Sequence, residues 1–480
     1  MRLSNSTVAG SVLIWTLLTI TILSLVAAQL LEVVSSKYYG TLHTAVWQES
    51  LLAAESGVDL AIVELRKSLY PAPNHAWDGW NMSTGEGGSN YGLRTIPDAG
   101  FAGTPMTIEV AVDAPLQLKD PENSWQYYRI RTIGTMPITG PARASDNKQD
   151  TRLRKLSLRF DRFTDGILTS HAISSPRVSR RIETIVRPVS SFDQAIMSVG
   201  ALNLNDADII IDSYDSRDPL KSTSGIYDAT KRQEHGDIAT DGNLINAGNA
   251  HVYGDVATNS GTVSGVANVS GIERTDFYQE PIPVAAPSWL SINPSPAIVS
   301  GTTNLAANAV EGSPASRYIV SSIRLSGGQV LDLSGNAQGT STYIEIYVTG
   351  DISSSGNSQI VVEPGVKAKI YFAGNTTITG NGLVNINNQP GDLILYGITP
   401  PSNTLRTLEL GGNGQLSAAV YAPEYDVNIH NSGTRGTVSG SFVGKTVTMT
   451  GVTDLHYDEA LGAGGVINSY KIVSWFEDTR

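Results

Sequence analysis

The chain has 480 residues, 45 acidic against 33 basic side chains (net charge −12) and no cysteine. That length allows two or three domains. The acidic balance argues against a nucleic-acid-binding surface, and the absence of cysteine excludes disulfides and thiolate metal sites. Charged residues make up only 16% of the chain while glycine occurs 47 times. With many Ser, Thr and Asn residues and short β-branched runs, this composition points to a large all-β part.

Residues 12–31 (VLIWTLLTITILSLVAAQLL) carry no charge over twenty positions, and a helix needs roughly twenty apolar residues to cross a bilayer. Residues 35–69 contain no proline, and Leu42, Val46, Leu51, Leu52, Ala54, Val58, Ala61, Ile62, Leu65 and Leu69 recur mostly at steps of three, four and seven, as on one helix stripe. The spacing predicts a single transmembrane and amphipathic stalk helix over 11–69, broken at Tyr70-Pro71-Ala72-Pro73. Gly40 and Gly57 are expected to weaken it by about 1 kcal/mol each relative to alanine. Residues 1–10 form a short polar leader ending in Gly10, directly before the apolar run. A secretory signal has its small-residue cleavage site after the apolar core; here the small residue precedes it.

Residues 70–190 read as a small β-rich head. The Gly-, Pro-, Asn- and Trp-rich stretch 70–104 predicts loop, followed by alternating strand-like segments at 106–112, 127–133 and 153–160. Their dry face is expected to cover the helix stripe. Arg177, Arg180, Arg181 and Arg187 read as the solvated face of a strand.

Residues 191–461 are periodic. Gly236-Asp237-Ile238-Ala239-Thr240 recurs as Gly254-Asp255-Val256-Ala257-Thr258 after eighteen residues and is echoed at Gly350-Asp351-Ile352. Tyr347, Tyr371, Tyr396 and Tyr421 follow at spacings of 24, 25 and 25, each closing a short strand. That is the size of a β-solenoid coil. Stacking the repeats predicts one inward ladder of Ile346, Ile370, Leu395 and Val420 and another of Ile344, Ala368, Leu393 and Ala418, with the tyrosines outward and Glu345 beside Lys369. Gly356-Asn357, Gly380-Asn381-Gly382 and Gly412-Asn413-Gly414 supply corners. Residues 279–316, rich in Pro, Ala and Ser, read as a crossing segment or insertion, and 462–480 as a strand that either closes the solenoid or returns to the head. The expected fold class is α+β then all-β: a long N-terminal transmembrane helix, a small antiparallel head and a C-terminal parallel β-helix.

Candidate chemistry is sparse. Asp206, Asp208, Asp212, Asp215 and Asp218 could serve as acid–base pairs on a glycosidic bond, and Asp212, Asp215 and Asp218 as oxygen ligands to calcium. Their turn-rich setting favours bonding to their own backbone. His456 beside Asp458 reads as a satisfied residue capping the end of the coils rather than a general base, since no paired nucleophile accompanies it. The outward tyrosine row is a carbohydrate platform unless another segment covers it. No enzyme activity and no cofactor are expected.

Gly10-Ser11-Val12-Leu13-Ile14, the apolar run, and Ala53-Ala54-Glu55-Ser56-Gly57 resemble the N-terminal region of PilX-type type IV minor pilins. Phe192-Asp193-Gln194-Ala195-Ile196, Ala419-Val420-Tyr421-Ala422-Pro423, Gly440-Ser441-Phe442-Val443-Gly444-Lys445 and Leu455-His456-Tyr457-Asp458-Glu459 resemble the β-solenoid domain found behind such N-termini in bacterial surface proteins. The resemblance implies processing by prepilin peptidase between Gly10 and Ser11, N-methylation of Ser11, anchorage in the inner membrane and packing against other pilin or pseudopilin subunits. The domain outside the cytoplasm would display the solenoid to a surface glycan or protein ligand. Trp15 stands where major pilins carry a glutamate, which fits a sparse or tip-located subunit. An unprocessed membrane-anchored adhesin or scaffold, and an anchored polysaccharide-active enzyme, are the alternative readings.

Overall fold

A computed structural model describes residues 8–70, 73–84, 90–97, 106–113, 127–138, 177–204, 209–265, 268–291, 297–310, 313–335, 341–401, 404–412, 415–430, 436–451, 453–463 and 467–478. The expected strand at 153–160, Asp206, Asp208 and Asn413-Gly414 lie outside these residues.

One unbroken helix, α1 (Val8–Lys67), opens the chain. Its second half seats Val46, Ser50, Ala53, Ala54, Gly57, Val58, Ala61 and Leu65 on a six-stranded antiparallel sheet. The strand order is Asn81–Thr84, Asn90–Ile96, Thr107–Val112, Tyr128–Pro137, Arg177–Ser190 and Ile467–Asp478. Ile108, Val110, Ile130, Ile182 and Val186 face the helix and are buried. The first two strands fall in the stretch expected to be loop. The last strand returns to the head across the whole intervening chain.

The small residues of α1 set how close helix and sheet come. A Cβ on Gly57 would stand 2.9 Å from Thr132 Cγ2 and 3.0 Å from Val110 Cγ2. A Cβ on Gly134, in the facing strand, would stand 2.7 Å from Ala54 N and would also collide with the Ser50 carbonyl. Gly57, which by propensity alone weakens the helix, is therefore required by packing. Arg180 departs from the solvated-face expectation. It is 2% exposed, lies 3.6 Å from the centre of the Trp47 ring and pairs with Glu477. A guanidinium over an indole face is attracted by the ring quadrupole, and a carboxylate partner offsets the cost of burying its charge.

The rest of the chain winds into coils whose strands pair in parallel, forming a solenoid-like sheet with a shorter four-stranded sheet along one side. The predicted ladders are present: Ile346 pairs with Ile370, Ile370 with Leu395 and Leu395 with Val420, and all are buried together with Ile344, Ala368, Leu393 and Ala418. Glu345 bonds not to Lys369 but to Arg317 Nε at 3.2 Å. Repeated Gly-Asp corners interlock: Asp237 Oδ1 accepts from Asp255 N at 2.7 Å, Asp255 Oδ1 from Ile272 N at 2.9 Å and Asp351 Oδ1 from Asn375 N at 2.8 Å. Each aspartate thus satisfies an amide of the coil stacked on it.

The coils do not stack in chain order. The chain enters in the middle, at Ile196–Ser198, and proceeds through Ile238–Thr240 and Val256–Ala257 to Glu273–Arg274 at one end. It then crosses to the opposite end, starts again at Ala297–Ser300 and coils back. Gly436–Thr450 finally stacks on Ile196–Ser198 and Leu202–Leu204, and Thr453–Asp458 on Ile210–Tyr214. Two runs of coils therefore meet at a non-covalent seam. Ala297–Ser300 and Thr303–Ala307 are already coil strands, so the crossing is shorter than the compositional stretch 279–316. Its Ile282 and Val284 are buried. Tyr421 OH donates to Ile282 O at 2.8 Å, and Val284 exchanges bonds with Thr399. The crossing thereby covers one end of the outward tyrosine row, where Tyr371 and Tyr396 stack at 4.9 Å.

Candidate functional site

Two places hold the residues singled out by sequence: the first half of α1 and the seam. Along α1, Ile14, Trp15, Leu17, Leu23, Leu30 and Leu31 are all exposed. Among the described residues this is one helix long and apolar enough to cross a membrane. Its hydroxyls turn inward: Thr19 Oγ1 bonds the Trp15 carbonyl at 3.0 Å, and Thr21 bonds that of Leu17. Polar groups in a bilayer must find partners within the protein, and these do. Gly10 and Ser11 lie in the first turn of this helix. The helical assignment runs without interruption from the exposed apolar half into the half seated on the head.

At the seam, the aspartates do not converge. Asp212, 1% exposed, accepts from Tyr227 OH at 2.8 Å and contacts His456 Nδ1 at 2.5 Å. The Tyr227 ring stacks on the His456 imidazole at 3.5 Å. Asp215 is turned to Arg217, bonding its backbone N at 3.0 Å and its Nε at 3.1 Å; burial pushes this carboxyl up, but Arg217 holds it below the usual range. Asp218 accepts from Leu220 N at 2.9 Å. The three calcium candidates thus point to three different partners. Among the described residues no group of three or more His, Asp or Glu side chains is placed to share a metal ion.

His456 is satisfied, as expected, but it does not cap an end. It belongs to the last coil in sequence and sits inside the stack, against the coil of Asp212. Around it Asp458 Oδ1 accepts from Ser216 N at 3.0 Å and Ala460 N at 3.1 Å. Glu459 accepts from Ser213 Oγ at 2.9 Å, Lys221 Nζ at 3.2 Å and contacts His235 Nδ1 at 2.8 Å. Burial holds the Asp458 carboxyl above the ordinary range against the pull of those two amides. The stacked Tyr227 and the loop carrying it leave His456 5% exposed. The network fastens one run of coils to the other: Asp212 and His456 are buried inside it, and the His235–Glu459 pair lies at its solvent edge. No sequence spacing announces it, since Asp212 and His456 are 244 positions apart.

A family model described as a domain of unknown function (DUF7305) matches residues 300–463. That is the run of coils from the far end back to the seam, and less than half of the chain. No curated protein matches. Among solved structures, the competence-associated pilin ComZ from Thermus thermophilus aligns at 9% identity over 90% of this chain and 97% of that one, with a TM-score of 0.22. The class defined by the structure is one long N-terminal apolar helix followed by a mostly β, solenoid-like domain.

Proposed function

We propose that the chain is a type IV pilus-related minor pilin or pseudopilin: a non-enzymatic subunit, cut between Gly10 and Ser11, that carries a solenoid outside the cytoplasm. The observation behind this reading is the single helix α1. Its first half is apolar on every exposed side, and its second half is the spine of an antiparallel head, with no break between them. A plain anchor needs only the first half. A helix shared between bilayer and domain core also offers an apolar surface to like helices once it leaves the membrane.

In this reading the inner membrane and the helices of other pilin or pseudopilin subunits are the partners of α1, and prepilin peptidase is the processing enzyme. The coils are bulky beside the head, which favours the tip of a filament, with adhesion to a surface glycan or protein as their use. The candidate aspartates are engaged in backbone and ion-pair contacts, which supports a structural role over a polysaccharide-active one.

The test is the N-terminal mass of the protein recovered from membranes of cells with and without prepilin peptidase. A chain starting at methylated Ser11 only when the peptidase is present is the expected result. An intact Met1 in both would reduce α1 to an anchor and leave a membrane-bound scaffold.

A further inference from the structure

We propose that the C-terminal strand, Ile467–Asp478, is a latch through which the head, and the helix packed on it, become dependent on a finished coil domain. This inference does not rest on the pilin reading. The strand pairs antiparallel with Arg177–Ser190, from Ile467 opposite Ser190 to Asp478 opposite Arg181. Its partner precedes every coil in the sequence; the latch follows them all. Until the last coil is laid down, Arg177–Ser190 has a bare edge.

The latch is hooked at both ends. Toward the helix, Glu477 supplies the carboxylate for Arg180, which is buried against Trp47. With the strand undocked, that guanidinium stays in the head–helix interface without its counter-charge, a state a buried cation resists strongly. Toward the coils, Lys471 stands opposite Arg187. Both charges act on Asp193, whose carboxyl is raised by burial and drawn back down by them. Beside Lys471, Tyr470 packs edge-on against Tyr128 at 5.6 Å, tying this end of the strand to the head.

The strand's starting point is set by the last coil. Tyr457 OH donates to Phe192 O at 2.7 Å, and Ser190 Oγ to Leu461 O at 3.2 Å. These bonds bring the chain leaving the coils alongside the chain entering them. They exist only when Thr453–Asp458 has stacked on Ile210–Tyr214. Completion of the coils is thus read out as seating of α1 through this strand and the Arg180–Glu477 pair, beside the exposed contact of Arg66 with Glu280 of the crossing segment.

Hydrogen exchange on the full chain in detergent micelles tests this. In Ile370→Asp, which disrupts the coils at a ladder separate from the latch strand, exchange in residues 46–65 and 128–137 is expected to rise about tenfold or more. Glu477→Ala should raise it too, and Arg180→Met added to Glu477→Ala should recover most of the protection, because the stranded charge is gone. Head exchange unchanged in Ile370→Asp, or a double variant as unprotected as Glu477→Ala alone, overturns the latch. Neither result depends on whether Gly10–Ser11 is cut.

Discussion

The head and the coils bury apolar surface in opposite ways. The head brings a helix of small residues so near its sheet that two glycines, Gly57 and Gly134, are needed for the approach. The coils fill their interior with large aliphatic side chains stacked rung on rung, Ile346 on Ile370 on Leu395 on Val420. One interface has no room for an added atom; the other has no tolerance for a lost or charged one. The contrast teaches that the same chain should fail differently at its two regions, and that a failure of the head can be seen apart from the coils.

The largest effect is expected from Ile370→Asp. An unpaired charge in the coil interior costs several kcal/mol, enough to abolish the cooperative transition of the coils in calorimetry. A variant that melts like the parent would remove the ladder from the description. Next comes Gly134→Val. Valine suits a strand, so the damage isolates the clash with Ser50 and Ala54; overpacking of this kind costs about 1–3 kcal/mol or more. The head transition should fall while that of the coils stays. Equal shifts in both transitions would break the comparison.

These two regions were also unequally legible. The ladders could be read because the tyrosine spacing fixes register, and a period of two then assigns each side chain to a face. The Gly-Asp repeat likewise announced itself, since a corner aspartate bonding the next coil must recur in every coil that uses it. The helix stripe was legible as a period, but not the demand for Gly57: propensity describes an isolated helix, and the reason for this glycine lies in Thr132 and Val110 of the facing strands. Arg180 looked like surface charge because its two partners, Trp47 and Glu477, are remote in sequence in opposite directions. The same limit hid the stacking order. Nothing local in Phe442 or Ile196 marks them as neighbours across the seam. Of the three calcium candidates, Asp215 and Asp218 bond backbone amides two residues on, whereas Asp212 serves the seam.

The seam sharpens the comparison, because there a buried polar network, Asp212 with His456 and Tyr227, accompanies the apolar stacking of Phe442 on Ile196 and Leu455 on Ile211. His456→Ala leaves Asp212 buried with Tyr227 as its remaining donor. Loss of a buried hydrogen-bonded partner costs about 1–3 kcal/mol, so the coil transition should drop by less than in Ile370→Asp, with the head following only if the latch lets go. A cycle with Asp212→Asn should show that the two substitutions are far from additive; additive effects would mean that the pair does not act as a unit.

The smallest effect concerns Asp458, and its sign is opposite. Burial raises the carboxyl above its ordinary 3.8 in the folded chain. A carboxyl with a raised folded pKa contributes stability when protonated, fully below the unfolded value, and that contribution disappears as pH rises through the folded value. Asp458→Asn keeps an oxygen to accept from Ser216 N and Ala460 N but carries no charge to bury. The Tm of the variant relative to the parent should therefore climb from about pH 3 toward neutrality. A flat difference across that range would show that the two amides already compensate the ionised carboxylate, and the seam would then be no more sensitive to acid than the apolar ladders beside it.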